Sequence, residues 1–348
     1  MRRTQAFLQH QVRTRRTPCV QYAIFDARRV HHQYSEGVAR VAGNEAAADD
    51  TSFHLYSVTK TFTALAVLQL VEEGTLDLDS PARQYLSSFP YGGAITLRHL
   101  LTHTAGLPNP IPLGWIHLAS EHTAFDRDAF FDAVFARHPR TRSAPGQQMA
   151  YSNLGFVLLG RILEAVTGER YEDLVTGRIL QRLPLQSGDL AFTVHDPAHH
   201  ARGYQKQWSL TNALLGFFID KGKYMDAAEG SWKPFKPFYV NGTPYGGLVG
   251  TRRGLVRYAQ ALLQADSPLL DSHYKRLLFA EHHTTAGNPT GMCLSWFTGL
   301  LNGQRFVTHA GGGGGYYCEV RLYPEAGWGN VILFNRTGMK DERLLDKV

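Results

Sequence analysis

The segment TFTALAVLQLVEEG, which begins at Thr61, constrains the fold more than any other part of the sequence. It is apolar on all sides for about three turns and is too long for a strand, so it predicts a buried helix that ends at Gly74. Hydrophobic residues make up 43% of the chain and charged residues 19%. That balance is typical of a globular protein that buries a large core, and not of a disordered or fibrous chain.

Strand-like segments lie towards both ends of the chain. Residues 20–25 and 30–41 predict a hairpin, and three further runs near the C-terminus are separated by glycine-rich turns: residues 306–309, 318–323 and 330–334. The region between the two ends is mainly helical in pattern. It contains a short helix capped by Thr96 and an amphipathic helix over residues 154–165, which Gly168 ends.

This order of elements predicts an α/β fold of the α+β type, in which an antiparallel sheet built from the N- and C-terminal segments is flanked by helices. Residues 1–75 and 245–348 would form the sheet domain, residues 76–244 a mainly helical insertion, and the functional cleft would lie at their junction. The stretch 208–245 is crowded with aromatic residues and has no clear secondary-structure pattern. It is either part of the core or the wall of a pocket.

Charge and composition exclude several classes of function. The net charge is +6, but Lys and Arg are dispersed and no nucleic-acid-binding motif accompanies them. The arginine-rich N-terminus has no apolar run longer than residues 6–8, and no segment approaches the roughly 20 apolar residues of a membrane span. We expect a cytoplasmic protein without nucleic-acid or membrane partners. Its cysteines are widely spaced and are predicted to be reduced thiols: Cys19, Cys293 and Cys318.

Ser57 and Lys60 form an S-x-x-K pattern where the buried helix begins. A step of three residues places both side chains on one helix face, and a lysine in an apolar site loses its charge readily enough to take a proton from the serine. Backbone N–H groups of the first turn could also stabilise an oxyanion. The pattern alone is weak evidence, because Ser272 and Lys275 repeat it and a helix cap followed by a surface lysine gives the same letters.

Two further patterns accompany the first. Tyr151 and Asn153 form Y-x-N in a glycine- and proline-containing loop directly before a helix, whereas the second copy, Tyr239 and Asn241, lies in the aromatic stretch and is interpreted as structural. His309 begins a third element, H-A-G, on a predicted strand. Gly311 completes this motif, and the glycines that follow it, residues 312–315, would let a substrate backbone approach closely. The three patterns in this order form a much stronger signal than any one of them.

With these motifs the sequence resembles the serine β-lactamase and penicillin-binding-protein superfamily, in particular its class C β-lactamase-like branch of D-alanyl-D-alanine carboxypeptidases, D-aminopeptidases and esterases. The resemblance covers roughly residues 20–335. Segments that carry it outside the motifs include ITLRHLLTHTAGLP, PGQQMAYSNLGFVLLGRILEAVTG and YGGLVGTRRGLVRYAQALL.

The resemblance implies a role for each motif. Ser57 would form an acyl-enzyme, while Lys60 and Tyr151 would shuttle its proton to the leaving group and later from water. Asn153 would contact the acyl side of the substrate, and the N–H groups of Ser57 and Gly312 would form the oxyanion hole. No cofactor or metal is needed for this chemistry.

The third motif departs from the K-T-G pattern of the superfamily, because His309 and Ala310 stand where a lysine and a threonine are usual. The cation and hydroxyl that normally grip a substrate carboxylate are therefore missing, and neutral histidine would hold an anion poorly. We predict a small-molecule ester, or a small amide or D-amino-acid peptide, as substrate. β-Lactamase or D-Ala-D-Ala carboxypeptidase activity is the alternative.

Two other classes of function remain open at this point. A metal enzyme is suggested by His99 and His103 at i,i+4 spacing and by the HDPAHH segment, although no H-E-x-x-H accompanies them. A non-catalytic member that keeps the fold as a binding module is the second. The sequence does not determine the oligomeric state.

Overall fold

The computed structural model describes residues 2–337 and 344–347. Within this part of the chain the helices are α1 (Arg2–Arg13), α2 (Thr59–Glu72), α3 (Ala82–Tyr85), α4 (Leu97–Leu101), α5 (Arg127–Arg137), α6 (Asn153–Thr167), α7 (Tyr171–Arg178), α8 (Leu210–Leu215), α9 (Lys221–Tyr224), α10 (Thr243–Gly246), α11 (Arg252–Leu263) and α12 (Ser272–Leu278). The strands are β1 (Cys19–Asp26), β2 (Val30–Arg40), β3 (Glu45–Ala46), β4 (Ser52–His54), β5 (Ile116–Leu118), β6 (Leu190–Ala191), β7 (Tyr204–Lys206), β8 (Trp232–Pro234), β9 (Phe238–Val240), β10 (Val249–Thr251), β11 (Phe297–Leu301), β12 (Gln304–Gly313), β13 (Tyr316–Tyr323) and β14 (Trp328–Phe334).

The main sheet joins the two ends of the chain, as the sequence predicts. In the described residues it has seven strands in the order β11-β12-β13-β14-β1-β2-β3. β1 pairs antiparallel with β14, so that Val20 lies opposite Phe334 and Asp26 opposite Trp328. The predicted α+β fold with an antiparallel sheet is therefore confirmed, whereas the division into residues 1–75 with 245–348 and residues 76–244 stays a prediction.

Both faces of β1 are buried, because helices cover the sheet on each side. Val20 and Tyr22 pack on the same side as Leu8 of α1. The alternate residues Ala23 and Phe25 belong to the larger core, which also contains Leu255 of α11. The sequence analysis did not identify α1, whose arginine-rich composition hides the narrow apolar contact that Leu8 makes.

The buried helix α2 lies at the centre of the molecule, and every residue from Thr59 to Leu70 is buried. It contacts α6, α7, α10 and α12. Its apolar surface on all sides is thus explained by neighbours on all sides. The structure also gives the aromatic stretch a form, since residues 208–245 hold short helices and strands: α8, α9, β8, β9 and α10. None of the helices in the described part of the chain combines the length and apolar composition that a membrane crossing requires.

Candidate active site

Ser57 lies in a tight turn between a strand and the buried helix. Residues Tyr56–Val58 form one turn of 3-10 helix that leads directly into α2, and the preceding strand β4 is held by β10. Tyr56 has a positive φ of 45°, a conformation that costs energy for a bulky residue and persists only where its surroundings fix it. The turn therefore presents Ser57, which is half-buried, at the N-terminal end of α2.

Lys60 reaches Ser57 from the first turn of α2. Its Nζ lies 3.0 Å from Ser57 Oγ, 2.8 Å from Asn153 Oδ1 and 2.9 Å from the Tyr245 carbonyl oxygen. The residue is 0% exposed, and burial holds the pKa of its amine well below the ordinary lysine value.

These contacts are compatible with a neutral amine, which has two N–H donors and one lone pair. Asn153 Oδ1 and the Tyr245 carbonyl can only accept, so they take the two donors. The remaining neighbour, Ser57 Oγ, is the one that can donate a proton to the lone pair. A neutral Lys60 amine in this geometry can accept the proton of the Ser57 hydroxyl.

Tyr151, in the loop that precedes α6, contacts the same serine. Its hydroxyl donates to Ser57 Oγ at 2.9 Å. The ring packs against His103 and Phe297, with centroid distances of 4.2 Å and 6.2 Å. Burial raises the pKa of the Tyr151 phenol, which keeps the proton on the oxygen at neutral pH. Tyr151 is therefore available as a proton donor and relay beside Ser57.

The start of α6 fixes the Y-x-N segment in place. Ser152 caps the helix, donates from its Oγ to the Pro108 carbonyl at 2.8 Å and from its N–H to His103 Nδ1 at 3.1 Å. Asn153 then opens α6, and its Nδ2 donates to Asn109 Oδ1 at 3.2 Å. Because this bond fixes the amide orientation, Asn153 presents Oδ1 to Lys60.

His309 lies on β12 next to these groups but carries no charge. It is 1% exposed, and burial together with the nearby Lys60 lowers its pKa to about 3. Its ring centroid lies 6.4 Å from that of Tyr151 and 5.6 Å from that of Phe297, and its Nε2 is buried without a partner in the described residues. The site therefore has no cation at this position at neutral pH.

The glycines after Ala310 have different surroundings. A Cβ on Gly311 would come within 2.8 Å of Ser57 N, so only glycine lets β12 approach the serine turn this closely. Gly312 is exposed and has room for a Cβ. Gly313, Gly314 and Gly315 are instead packed against the protein's own atoms.

The groups that fill this space are Tyr56 at Gly313 and Gly314, Phe238 at Gly314, and the Gly203 backbone at Gly315. A Cβ at residues 313–315 would therefore clash with the protein's own atoms, whereas the approach of a substrate backbone to this run stays a prediction. The small size of residues 313 and 314 lets Tyr56 pack against them, whereas a Cβ on Gly312 would make only ordinary van der Waals contacts at 3.5 Å or more.

The second copies of both motifs lie elsewhere and make other contacts. Ser272 begins α12 and is exposed, while Lys275 Nζ donates to the Ala265 carbonyl at 3.1 Å. The Tyr239 hydroxyl accepts from Val194 N at 3.1 Å, and Asn241 Oδ1 lies 2.8 Å from His117 Nδ1. Each pair is engaged in local structure.

The histidines that suggested a metal site are dispersed in their contacts. His99 Nδ1 accepts from Thr96 N at 3.2 Å in the cap of α4, whereas His103 binds Ser152 N. In the HDPAHH segment, His199 pairs with Asp196 and His200 Nδ1 lies 2.9 Å from Ser52 Oγ. Among residues 2–337 and 344–347, no group of three or more His, Cys, Asp or Glu is placed to hold a metal ion.

Three participants in this network were missed at the level of sequence. The Tyr245 carbonyl binds Lys60, Asn109 orients Asn153, and His103 supports both Tyr151 and Ser152. A backbone carbonyl leaves no side-chain signal. For the other two, the available sequence signal was the polar residues in and next to the proline-rich loop that follows His103.

The chain is similar in sequence and in fold to known proteins. The chain is 27% identical over 300 residues to Penicillin-binding protein 4* of Bacillus subtilis (strain 168), a match that covers 84% of this chain and 62% of that protein. The matched region of this chain corresponds to between 54% and 62% of the length of similar curated relatives.

Solved structures share the fold. The octameric penicillin-binding protein homologue from Pyrococcus abyssi has a TM-score of 0.74 at 24% identity, with 96% of this chain and 73% of that chain covered. The D-amino acid amidase from Ochrobactrum anthropi SV3, in complex with D-phenylalanine, has a TM-score of 0.76 at 23% identity, with 96% and 91% covered. The Beta-lactamase family model matches residues 4–348, and the chain therefore belongs to the beta-lactamase family.

Proposed function

We propose that this protein is a serine hydrolase that cleaves small esters or amides through a covalent acyl-enzyme on Ser57. The observation that carries the proposal is the contact of Ser57 Oγ with Lys60 Nζ at 3.0 Å and Tyr151 Oη at 2.9 Å, with the lysine fully buried. A buried amine without an opposite charge beside it is costly, so its retention next to a serine supports a catalytic role.

In the acylation step Ser57 Oγ attacks the substrate carbonyl carbon as its proton passes to the neutral Lys60 amine. The C–O or C–N bond to the leaving group then breaks, and Tyr151 passes a proton to that group and is reprotonated from Lys60. Water repeats the sequence in reverse on the acyl-enzyme. The N–H groups of Ser57 and Gly312 would stabilise the oxyanion in both steps.

The state of His309 favours substrates without a free carboxylate at this position. A neutral imidazole with a pKa of about 3 offers no charge to an anion between pH 5 and 8. Esters and small neutral amides therefore fit better than β-lactams or peptides that end in D-alanine. The likeness in fold to a D-amino acid amidase supports keeping D-amino-acid amides among the candidate substrates.

A substrate panel tests the proposal. Nitrocefin, short p-nitrophenyl esters and D-amino-acid amides would be compared on the wild type, on Ser57→Ala and on the matched control Ser272→Ala. We expect hydrolysis of esters or amides that exceeds nitrocefin turnover, is lost in Ser57→Ala and is kept in Ser272→Ala. Equal activity in wild type and Ser57→Ala would overturn the proposal. If no substrate is hydrolysed and a fluorophosphonate probe forms no covalent adduct on Ser57, a non-catalytic binding protein is favoured.

A further inference from the structure

A cavity of about 400 Å³ opens beside the candidate active site. One wall is α8 with Leu210, Leu214 and Leu215, a second is Leu113, and a third is the end of β12 from Gly312. Its volume falls within the range of small-molecule pockets. The aromatic stretch whose role the sequence left open therefore contributes directly to a cavity wall.

The lining of this cavity is uncharged. Among the described residues around it, the polar side chains are Gln205, Thr211 and Thr337, and none of the others is ionisable. A charged ligand would lose its hydration here without gaining an opposite charge. An apolar group, in contrast, would remove leucine and phenylalanine surface from water.

Two segments that contact the serine site also line the cavity. In one segment, Gly311 packs against Ser57 N, and the next residue, Gly312, already lines the cavity. In the other segment, Asn109 binds Asn153, and Leu113 follows four residues later in the same loop. A group attached to a carbonyl held at Ser57 could therefore extend into the cavity.

The mouth of the cavity is apolar and open to water. Leu210 is 76% exposed, Leu214 46% and Phe218 45%. Large apolar side chains gathered at one site mark a place that binds an apolar partner more often than chance exposure does. Because Gly312, whose N–H is proposed to bind the oxyanion, lines the same cavity, the apolar occupant that we consider is part of a substrate held at Ser57.

We propose that this cavity binds the unbranched aliphatic acyl chain of an ester or amide substrate. The inference rests on the proposed function, because it places the carbonyl carbon at Ser57 Oγ and runs the chain past Gly312 between Leu113 and α8. Each added methylene then buries more apolar surface, so specificity should increase with acyl-chain length until the cavity is full.

The first measurement is kcat/KM on p-nitrophenyl acetate, butyrate and octanoate. We expect octanoate to exceed acetate by about tenfold or more, since burial of one methylene in a fitted pocket already gives measurable discrimination. Equal or falling values along the series overturn the inference while leaving a Ser57-dependent esterase intact.

A pair of variants separates the cavity from general surface hydrophobicity. Leu214→Asp places a charge in the lining and should lower the octanoate-to-acetate ratio about tenfold. Phe217→Asp is the matched control, because Phe217 is 83% exposed and lies outside the lining. An unchanged ratio in Leu214→Asp overturns the inference. If wild-type protein proves to be a dimer and Leu214→Asp a monomer, the apolar mouth is assigned to a second copy of the chain, which overturns the inference as well.

Binding without turnover distinguishes failure of the cavity from failure of the catalytic proposal. Calorimetric titration of Ser57→Ala with p-nitrophenyl octanoate should show saturable binding that Leu214→Asp weakens in the same background. Such binding, found together with wild-type hydrolysis that does not depend on Ser57, would support the cavity and overturn the proposed function. If Ser57→Ala does not bind p-nitrophenyl octanoate while wild-type protein hydrolyses p-nitrophenyl acetate in a Ser57-dependent way, the proposed function is supported and the cavity inference is overturned.

Discussion

The chain contains the S-x-x-K pattern twice, and the two copies have different surroundings. Ser57 and Lys60 lie at the start of the central helix, where the lysine is 0% exposed and contacts the serine, an asparagine and a carbonyl oxygen. Ser272 is exposed at the start of α12, and Lys275 binds carbonyl oxygens of the preceding loop. The same pattern thus places a serine against a buried lysine in one location and forms an exposed helix terminus in the other.

The two Y-x-N copies differ in the same way. Tyr151 points its hydroxyl at Ser57, whereas Tyr239 accepts a hydrogen bond from Val194 N. What distinguishes each pair is the element that follows or surrounds it: a buried helix after Ser57, and the start of α6 after Tyr151. A motif of four residues is informative because of the fold that buries it.

The largest expected difference between the copies is at the serines. Ser57→Ala removes the nucleophile and should lower kcat for ester hydrolysis by about 10³-fold or more, whereas Ser272→Ala should leave it within twofold of wild type. Steady-state kinetics on a p-nitrophenyl ester measures both. A large loss of kcat in Ser272→Ala would contradict the claim that the two S-x-x-K copies differ in function.

The lysines should differ almost as much. Lys60→Met removes the base and should lower kcat by about 10³-fold, while Lys275→Met should change it little. Circular dichroism of both variants checks that each is folded. Retention of activity in folded Lys60→Met would mean that another group takes the Ser57 proton.

The tyrosines sharpen the comparison at a smaller magnitude. Tyr151→Phe keeps the ring between His103 and Phe297 but removes the hydroxyl, and should lower kcat by about 10²-fold. Tyr239→Phe is its matched control and should stay near wild type. Equal kinetics in the two variants would exclude Tyr151 from proton transfer.

The smallest effect is on stability as a function of pH. Burial lowers the pKa of Lys60 below that of the unfolded chain, so at pH values between the two the unfolded state holds a proton that the folded state has released. The free energy of unfolding should then increase with pH across this window, by up to about 1 kcal/mol per pH unit.

In Lys60→Met the increase of the free energy of unfolding with pH should disappear. In Lys275→Met the increase should be reduced less, because the Lys275 side chain keeps solvent contact and its pKa therefore differs less between the folded and unfolded states. Urea denaturation of the three proteins between pH 7 and 9 tests this. A pH slope in Lys60→Met as steep as that of wild type would show that the lysine is charged in the folded protein.

The sequence was most informative where periodicity and burial coincide. The helix predicted from Thr61 exists as α2 from Thr59, and the predicted hairpin exists as β1 and β2. β12 is longer than its apolar run because glycines 311–313 continue the strand, and glycine carries no strand signal. The edge strand β11 was not identified either, because its residues are only partly buried or, at Leu300, exposed.

The site was predictable in its side chains and not in its backbone contacts. Ser57, Lys60 and Tyr151 belong to recognisable motifs that stand directly before or at the start of a helix. The carbonyl of Tyr245, in contrast, reaches Lys60 only because α10 packs on α2. The packing of Tyr56 against Gly313 and Gly314 is likewise a tertiary event. Both depend on contacts between residues far apart in the chain, which one sequence does not reveal.

Covalent labelling tests the central claim most directly. The protein would be treated with a fluorophosphonate probe, digested and mapped by mass spectrometry, with Ser57→Ala and Ser272→Ala alongside. The account predicts one adduct, on Ser57, in the wild type and in Ser272→Ala, and none in Ser57→Ala. An adduct on another serine, or none on folded wild-type protein, would contradict the activation of Ser57 by Lys60.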